Sequence, residues 1–415
     1  MSEPILIILF NLLVVLGAYF YLAWREDNYI NILIPFVGFS VPAYFLLEIL
    51  YLQLFGSAGS NYAYWYCYST YAVGVLGLTI GYLSAPRVAV PIFLKMPRIV
   101  VPGVAWLLLA IGGLLYAPVL IENWQMVLSP RRIYEVTRSG FGIEFFLSTC
   151  AVYLGLIFFL FSKRKTTIGN YAFTAIALAI IYLHGNKGQI LSYILIVVYF
   201  FVFVRRVRFG LKRFLLFSAI IAIMMSALFY VTFSSASRTD LLASIAEYSD
   251  YTRNAMLVID DPDMRPQYGR LTMENAIYSI VPRAVFPDKP KDFGSFWLVK
   301  RYFPSRFELD TGAPAFGVGV LYADFGPFAI LYYAAASMLT GLIIKLLLIR
   351  LESMPDAGTF VLFLTFMDIG LVPTGSGFPL AAYYGMAYFM YIFAGRNLPR
   401  KSAMQRRSGD HPALP

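Results

Sequence analysis

The chain has 415 residues, 59% of them hydrophobic and 13% charged, with a mean hydropathy of +0.68 and a formal net charge of +10. A soluble domain carries about 25% charged residues, so a soluble core does not absorb this apolar excess, whereas a bilayer does. In a soluble protein the positive balance would point to nucleic acid. Here the cations lie between apolar runs, so they read first as membrane topology and second as attraction for an anionic substrate, with no nucleic-acid partner.

Runs of roughly 20 apolar residues are long enough to cross the hydrocarbon. In chain order they predict spans at 4–24, 29–50, 64–84, 99–119, 143–162, 168–184, 189–204, 214–233, 327–349, 357–372 and 378–395. The expectation is an all-α polytopic membrane protein of about 11 transmembrane helices, within a range of 10–13. The first run lacks a basic leader and a small-residue cleavage site, so it is expected to be a retained helix. The domains expected are spans one to eight over 1–233, including an external loop at 120–142, then a large loop at 234–326, three spans over 327–395 and a basic tail at 396–415. The large loop contains a helical pattern around 238–259 and an aromatic stretch from Phe293 to Phe303, so it is expected to fold as a cap.

Orientation follows from lysine and arginine in short loops. One face collects 19 of them, from Arg25 to the tail, and the other has Arg131, Arg132, Arg138 and Lys187. The C-terminus is therefore expected in the cytoplasm and the N-terminus outside. The two cysteines, Cys67 and Cys150, and the two histidines, His184 and His411, make no metal-ligand spacing, so no metal or other cofactor is expected.

A large external loop rich in cations faces a side without activated nucleotides. An enzyme there needs an energy-rich group already attached to its substrate, and a polyprenyl diphosphate sugar has one. Four segments carry candidate chemistry. The first is Ser129-Pro130-Arg131-Arg132-Ile133-Tyr134-Glu135-Val136-Thr137-Arg138-Ser139-Gly140, whose guanidiniums suit phosphate oxygens. Its alternative is an interfacial loop meeting lipid headgroups. The second is His184-Gly185-Asn186-Lys187-Gly188-Gln189, a glycine-flanked turn at a helix N-terminus, which favours anions. Its alternative is a plain turn with a solvated lysine.

The third segment is Val281-Pro282-Arg283-Ala284-Val285-Phe286-Pro287-Asp288-Lys289-Pro290. Its prolines hold an extended path and fix the directions of Arg283, Asp288 and Lys289; the alternative is a rigid connector. The fourth is the return to the membrane, with Arg301, Arg306, Glu308, Asp310, Thr311, Gly312, Gly317, Gly319, Tyr322 and Asp324. A carboxylate there can take a proton from an acceptor hydroxyl or serve as a solvated ion-pair partner. Glu48 and Asp368 lie inside apolar spans, where ionisable groups are functional candidates by default.

The chain resembles the Wzy-type oligosaccharide repeat-unit polymerases, the O-antigen polymerase group. The likeness covers the layout of most of the chain: ten or more spans with a large external loop late in the sequence. It is most specific at Pro282-Arg283-Ala284-Val285-Phe286-Pro287-Asp288-Lys289-Pro290, which is similar to the family's Pro-Arg-apolar-Pro-x-Lys-Pro signature. Thr311-Gly312 and Gly319-Val320-Leu321-Tyr322-Ala323-Asp324-Phe325-Gly326 resemble its return into the membrane, and Arg131/Arg132 with Tyr134 and Gly140 its earlier arginine segment. Where the family often has a Gly-Ser-Arg-like turn, this chain has Gly185-Asn186-Lys187-Gly188, keeping the charge without the guanidinium fork. An arginine followed eleven residues later by glycine, a pattern of some members, occurs at Arg283/Gly294, Arg301/Gly312 and Arg306/Gly317.

The resemblance implies a glycosyltransferase of the integral-membrane (C-like) architecture shared with O-antigen ligases, in the bacterial inner membrane. It would move a growing glycan from undecaprenyl diphosphate to a new lipid-linked repeat unit on the periplasmic side, with a chain-length regulator as partner. The expected diphosphate site is Arg131, Arg132, Arg138, Lys187, Arg283, Lys289 and Arg301. The expected base is Glu135, Asp288, Asp310, Asp324 or His184. Direct displacement without a metal would invert the anomeric centre. The alternatives are a ligase passing the glycan to another acceptor, and a flippase, which needs no base and places its charges within the spans.

Overall fold

A computed structural model of the chain describes residues 2–86, 102–127, 132–133, 142–162, 168–185, 187–233, 241–247, 250–278, 281, 286–308, 314–368, 385–386 and 388–389. Among the described residues the secondary structure is helical throughout, with no strand. Among the described residues five helices are long and apolar enough to cross a membrane: Glu3–Glu26, Ile34–Phe55, Gly103–Glu122, Gly142–Ser162 and Gly319–Ser353. Three shorter apolar helices join them, at Tyr171–Leu183, Gly188–Val204 and Ala357–Met367. The chain is an all-α membrane protein. Most of the predicted last span, 378–395, lies outside the described residues.

The chain divides into two compact units. The first comprises Met1–Val90, Val198–Ser353 and Phe363–Ala382, and the second Pro91–Val197, Met354–Leu362 and Tyr383–Pro415.

In the first unit, α1 (Glu3–Glu26) runs without a charge from Pro4 to Trp24 and ends on Asp27 in the left-handed region. The second predicted span begins later than its hydropathy implies. Asn28 and Asn31 accept the backbone N–H groups of Ile30 and Leu33 with their own side chains, holding a turn where helix would otherwise start. Helix α2 (Ile34–Ser40) then passes through a π-helical turn, Val41–Leu46, into α3 (Leu47–Phe55). Pro42 brings no N–H to the ladder, and Leu47 N–H reaches back five residues to the Pro42 carbonyl.

Helix α4 (Asn61–Ser84) packs between α1 and the long helix near the end of the chain. In the second unit α5 (Pro102–Glu122) lies along α6 (Gly142–Ser162), with α7 (Ile168–Leu183) beside both. Helix α8 (Lys187–Tyr199) continues as a π-helical turn, Phe200–Val204, and α9 spans Leu211–Phe233.

The described residues of the large loop form short helices, α10 (Leu241–Glu247), α11 (Tyr251–Ile259), α12 (Arg270–Tyr278), α13 (Ser295–Tyr302) and α14 (Pro304–Glu308), and α15 (Gly319–Phe325) opens the apolar run Gly319–Ser353. The single helix expected around 238–259 is two helices, α10 and α11. Val258, Leu271, Leu298, Val299, Phe316, Val320 and Ala323 form a buried apolar cluster there, so this part of the loop has a core of its own. The chain returns through α16 (Ala329–Ser353), followed by α17 (Ala357–Asp368).

Glycine sets how closely α4 and α16 approach. A Cβ on Gly77 would stand 2.7 Å from the Ala334 carbonyl oxygen, one on Gly81 would overlap the Met338 carbonyl, and one on Gly341 the Leu78 carbonyl. Lipid is as apolar as leucine, so helices in a bilayer gain from this close backbone contact rather than from burial of apolar area.

Candidate active site

The described residues of the first two candidate segments belong to the second unit. On α5, Tyr116 and Val119 are buried against Ile133, and Leu120, Met126, Phe145 and Leu183 pack around them. Ile133 therefore packs at the ends of α5 and α7, while Arg132 beside it is exposed. Arg131, Glu135 and Arg138 lie outside the described residues.

At the end of α7 the chain turns at His184 and Gly185. Gly185 has φ +68 and its N–H bonds the Tyr182 carbonyl, a left-handed helix stop that glycine adopts without strain. Asn186 lies outside the described residues and Lys187 opens α8, so the turn sets the positive end of that helix beside it.

His184 is fully buried. Its Nδ1 is 3.0 Å from Gln189 Oε1 and its Nε2 3.0 Å from Ser148 Oγ. Gln189 Nε2 donates to Thr149 Oγ1 at 3.1 Å, so the amide oxygen is left facing the imidazole and the ring carries its proton on Nδ1. The Ser148 hydroxyl lies within reach of both Nε2 and the Gly112 carbonyl, at 2.7 Å from the latter. Tyr116 and Phe145 close the ring in, with centroids 4.3 and 4.9 Å away. Tyr116 donates to the Leu183 carbonyl at 2.9 Å and Tyr153 to the Gln189 carbonyl at 3.0 Å. The network holds both ends of the turn. It leaves the imidazole no exposed surface from which to reach a substrate hydroxyl in this arrangement.

The third and fourth segments belong to the first unit. Arg283 and Asp310 lie outside the described residues. Asp288 is exposed. Lys289 donates to the Val281 carbonyl at 3.2 Å and stands 4.5 Å above the Phe293 ring, drawing the two ends of the proline-rich segment together. Arg301 contacts Asp261 at 2.8 Å, an anion that sequence spacing did not reveal. Arg306 is exposed, 5.7 Å from the centre of the Phe303 ring.

Asp324 is fully buried and accepts from Leu271 N and Thr272 N at 2.9 and 2.8 Å and from the Thr272 hydroxyl, capping α12 from a distant part of the chain. The carboxylate expected as a candidate base or a solvated ion-pair partner is instead buried and holds the start of α12. The described glycines of the arginine–glycine spacing, Gly294 and Gly317, have φ +54 and +48. The spacing thus marks positions where the backbone needs glycine. Asp368 closes α17. Among the described residues no group of three or more His, Cys, Asp or Glu is placed to hold a metal.

The chain is 32% identical over 372 residues to an O-antigen polymerase of Salmonella typhimurium, a match covering 88% of this chain and 89% of the relative. It belongs to the O-antigen polymerase family. An O-antigen polymerase of Salmonella typhi matches over the same length at the same identity. No family model and no solved structure matches the chain. As an O-antigen polymerase the protein is a membrane glycosyltransferase of polysaccharide biosynthesis, multi-pass in the inner membrane.

Proposed function

We propose that this O-antigen polymerase moves a growing glycan from undecaprenyl diphosphate to the non-reducing end of a new lipid-linked repeat unit on the periplasmic face. In this reading the chain makes eleven spans, with the N-terminus outside and the C-terminus in the cytoplasm. The observation that supports the reading is the packing of Ile133, beside Arg132, with Leu183 at the end of α7, just before the turn that leads to Lys187. Both segments carry cations, and a diphosphate is the group that two such segments suit.

Charge builds on the diphosphate as the glycosidic bond breaks, so fixed cations favour the transition state over the ground state. Arg131, Arg132, Arg138 and Lys187 supply one set, and Arg283 and Lys289, on the family-like segment, another. Several guanidiniums and ammoniums together replace a divalent metal. Arg301 has a smaller part, because Asp261 already holds it. The proton of the attacking hydroxyl goes to a carboxylate of the external loops, Glu135, Asp288 or Asp310, while His184 holds the turn. Direct displacement inverts the anomeric carbon, and a chain-length regulator sets when elongation stops.

The test is reconstituted protein supplied with lipid-linked repeat units alone. A polymerase lengthens them; a ligase waiting for another acceptor, or a flippase, does not. R132A and R283A should each slow elongation by roughly 10- to 100-fold, the equivalent of about 1.5–3 kcal/mol for one charge-assisted hydrogen bond. Wild-type polymer from both variants removes the cation role.

A further inference from the structure

Glu48, the charge inside the second span, has its partner in the large loop. It sits on α3 with no exposed surface. Tyr64 of α4 donates to its Oε1 at 3.0 Å. Arg253 of α11 stands with Nε 3.8 Å from Oε2, and its guanidinium carbon lies 3.8 Å from the centre of the Tyr51 ring. Arg253 Nη2 also donates to the Ala246 and Glu247 carbonyls at 3.3 and 2.8 Å, at the end of α10. One guanidinium thus ties α10 and α11 to α3, and Glu48 extends the tie to α4.

The opposite face of α11 carries the segment that leads back to the membrane. Asn254 Nδ2 donates to the Ala315 carbonyl at 3.0 Å. A Cβ on Gly319 would lie 2.8 Å from Ala255 Cα, and one on Gly317 4.0 Å from Tyr251 Cβ. At about 3.6 residues per turn, Tyr251, Asn254 and Ala255 share one face and Arg253 lies on the other. Helix α11 is therefore a spacer between the membrane helices and residues 314–319, which begin two positions after Gly312 in the sequence.

Glu48 Oε2 and Arg253 Nε have no hydrogen-bond partner among the described residues; they meet by charge alone. A buried ion pair of this kind adds little net stability over a packed apolar pair, because desolvation offsets the attraction. It does select one rotation of α11, the one that brings Arg253 to Glu48. We propose that Glu48 and Arg253 are a positioning pair for glycan transfer, fixing α11 on α3 and thereby placing the return segment 314–319. The proposal rests on the chain being a polymerase, and not on the diphosphate chemistry above.

The test uses full-length protein in proteoliposomes elongating lipid-linked repeat units. Wild-type protein that does not elongate removes the polymerase reading itself. E48M/R253M leaves no unpaired buried charge, and R253K keeps the charge without the guanidinium plane. Both should accumulate and resist protease as wild type does, with kcat lowered roughly tenfold and KM within about twofold. Wild-type kcat per folded protein, or a loss that appears in KM instead of kcat, overturns the proposal. If E48M/R253M does not accumulate, R253K gives the same reading.

Discussion

Asp261 and Arg301, 40 residues apart, share one carboxylate oxygen: Arg301 Nε lies 2.9 Å and Nη2 2.8 Å from Oδ2. The Tyr302 hydroxyl donates to the same oxygen at 2.7 Å, and the Asp263 N–H to Oδ1 at 2.9 Å. Partial burial works against the charge on Asp261, but Tyr302, the Asp263 N–H and Arg301 together outweigh it and hold the carboxyl below its usual range. Its bond to Asp261 holds the Arg301 guanidinium above its usual range, so Arg301 stays charged throughout.

A carboxyl with a depressed folded pKa contributes stability above its unfolded value of about 3.9, and that contribution is lost as pH falls through the folded value. D261N should cost about 1–2 kcal/mol at pH 7, a charged hydrogen bond discounted for partial exposure. Thermal unfolding in detergent at pH 7 and at pH 3 checks it. The gap between wild type and variant should narrow at the lower pH, and an undiminished gap would show that the carboxylate's charge contributes nothing.

Helix packing in the first unit gives a sharper steric prediction. A side chain at Gly81 has nowhere to go, because the Met338 carbonyl occupies the site of its Cβ, whereas Gly17 on α1 has nothing within 4 Å. G81L should destabilise by about 1–3 kcal/mol or more through overpacking, and folded protein in the membrane should fall sharply. G17L should accumulate as wild type. Equal accumulation of the two would mean that α4 and α16 do not approach as closely as their glycines allow.

The sequence showed the apolar spans because a run of uncharged residues is a local signal; α1, α4 and α6 each lie within a few residues of their predicted ranges. It did not show the late start of α2, set by two asparagine side chains, or the π-helical turn at Pro42. The glycine-flanked turn after α7 was legible for the same local reason. The anion beside Arg301, the cation beside Glu48 and the capping role of Asp324 were not, because each depends on which distant segment folds against the other. Residue type identified these groups as consequential, but only packing assigned their partners.

Asp324 gives a prediction that separates structure from catalysis. Its carboxylate takes two backbone N–H groups and the Thr272 hydroxyl, while the Tyr268 N–H bonds its carbonyl at 2.7 Å. D324A leaves the start of α12 uncapped in a buried setting and should cost about 1–3 kcal/mol. D324N keeps one acceptor oxygen and should recover part of that. Elongation per folded molecule should change little in D324N. A loss of several hundredfold with intact folding would instead assign Asp324 to the reaction.

His184 yields the most specific substitution series, because its two nitrogens have separate partners. Asparagine places its amide near the position of Nδ1 and can still donate to Gln189 Oε1, whereas alanine leaves that oxygen buried and unanswered. H184A should therefore destabilise by about 1–3 kcal/mol, with H184N intermediate. If the imidazole works by holding the Gly185 turn, elongation should follow the same order, H184N above H184A. A base that touches substrate would give a different pattern, with H184N and H184A equally inactive per folded molecule because neither accepts a proton at neutral pH. Elongation by both variants in proteoliposomes, normalised to protease-resistant protein, distinguishes the two roles.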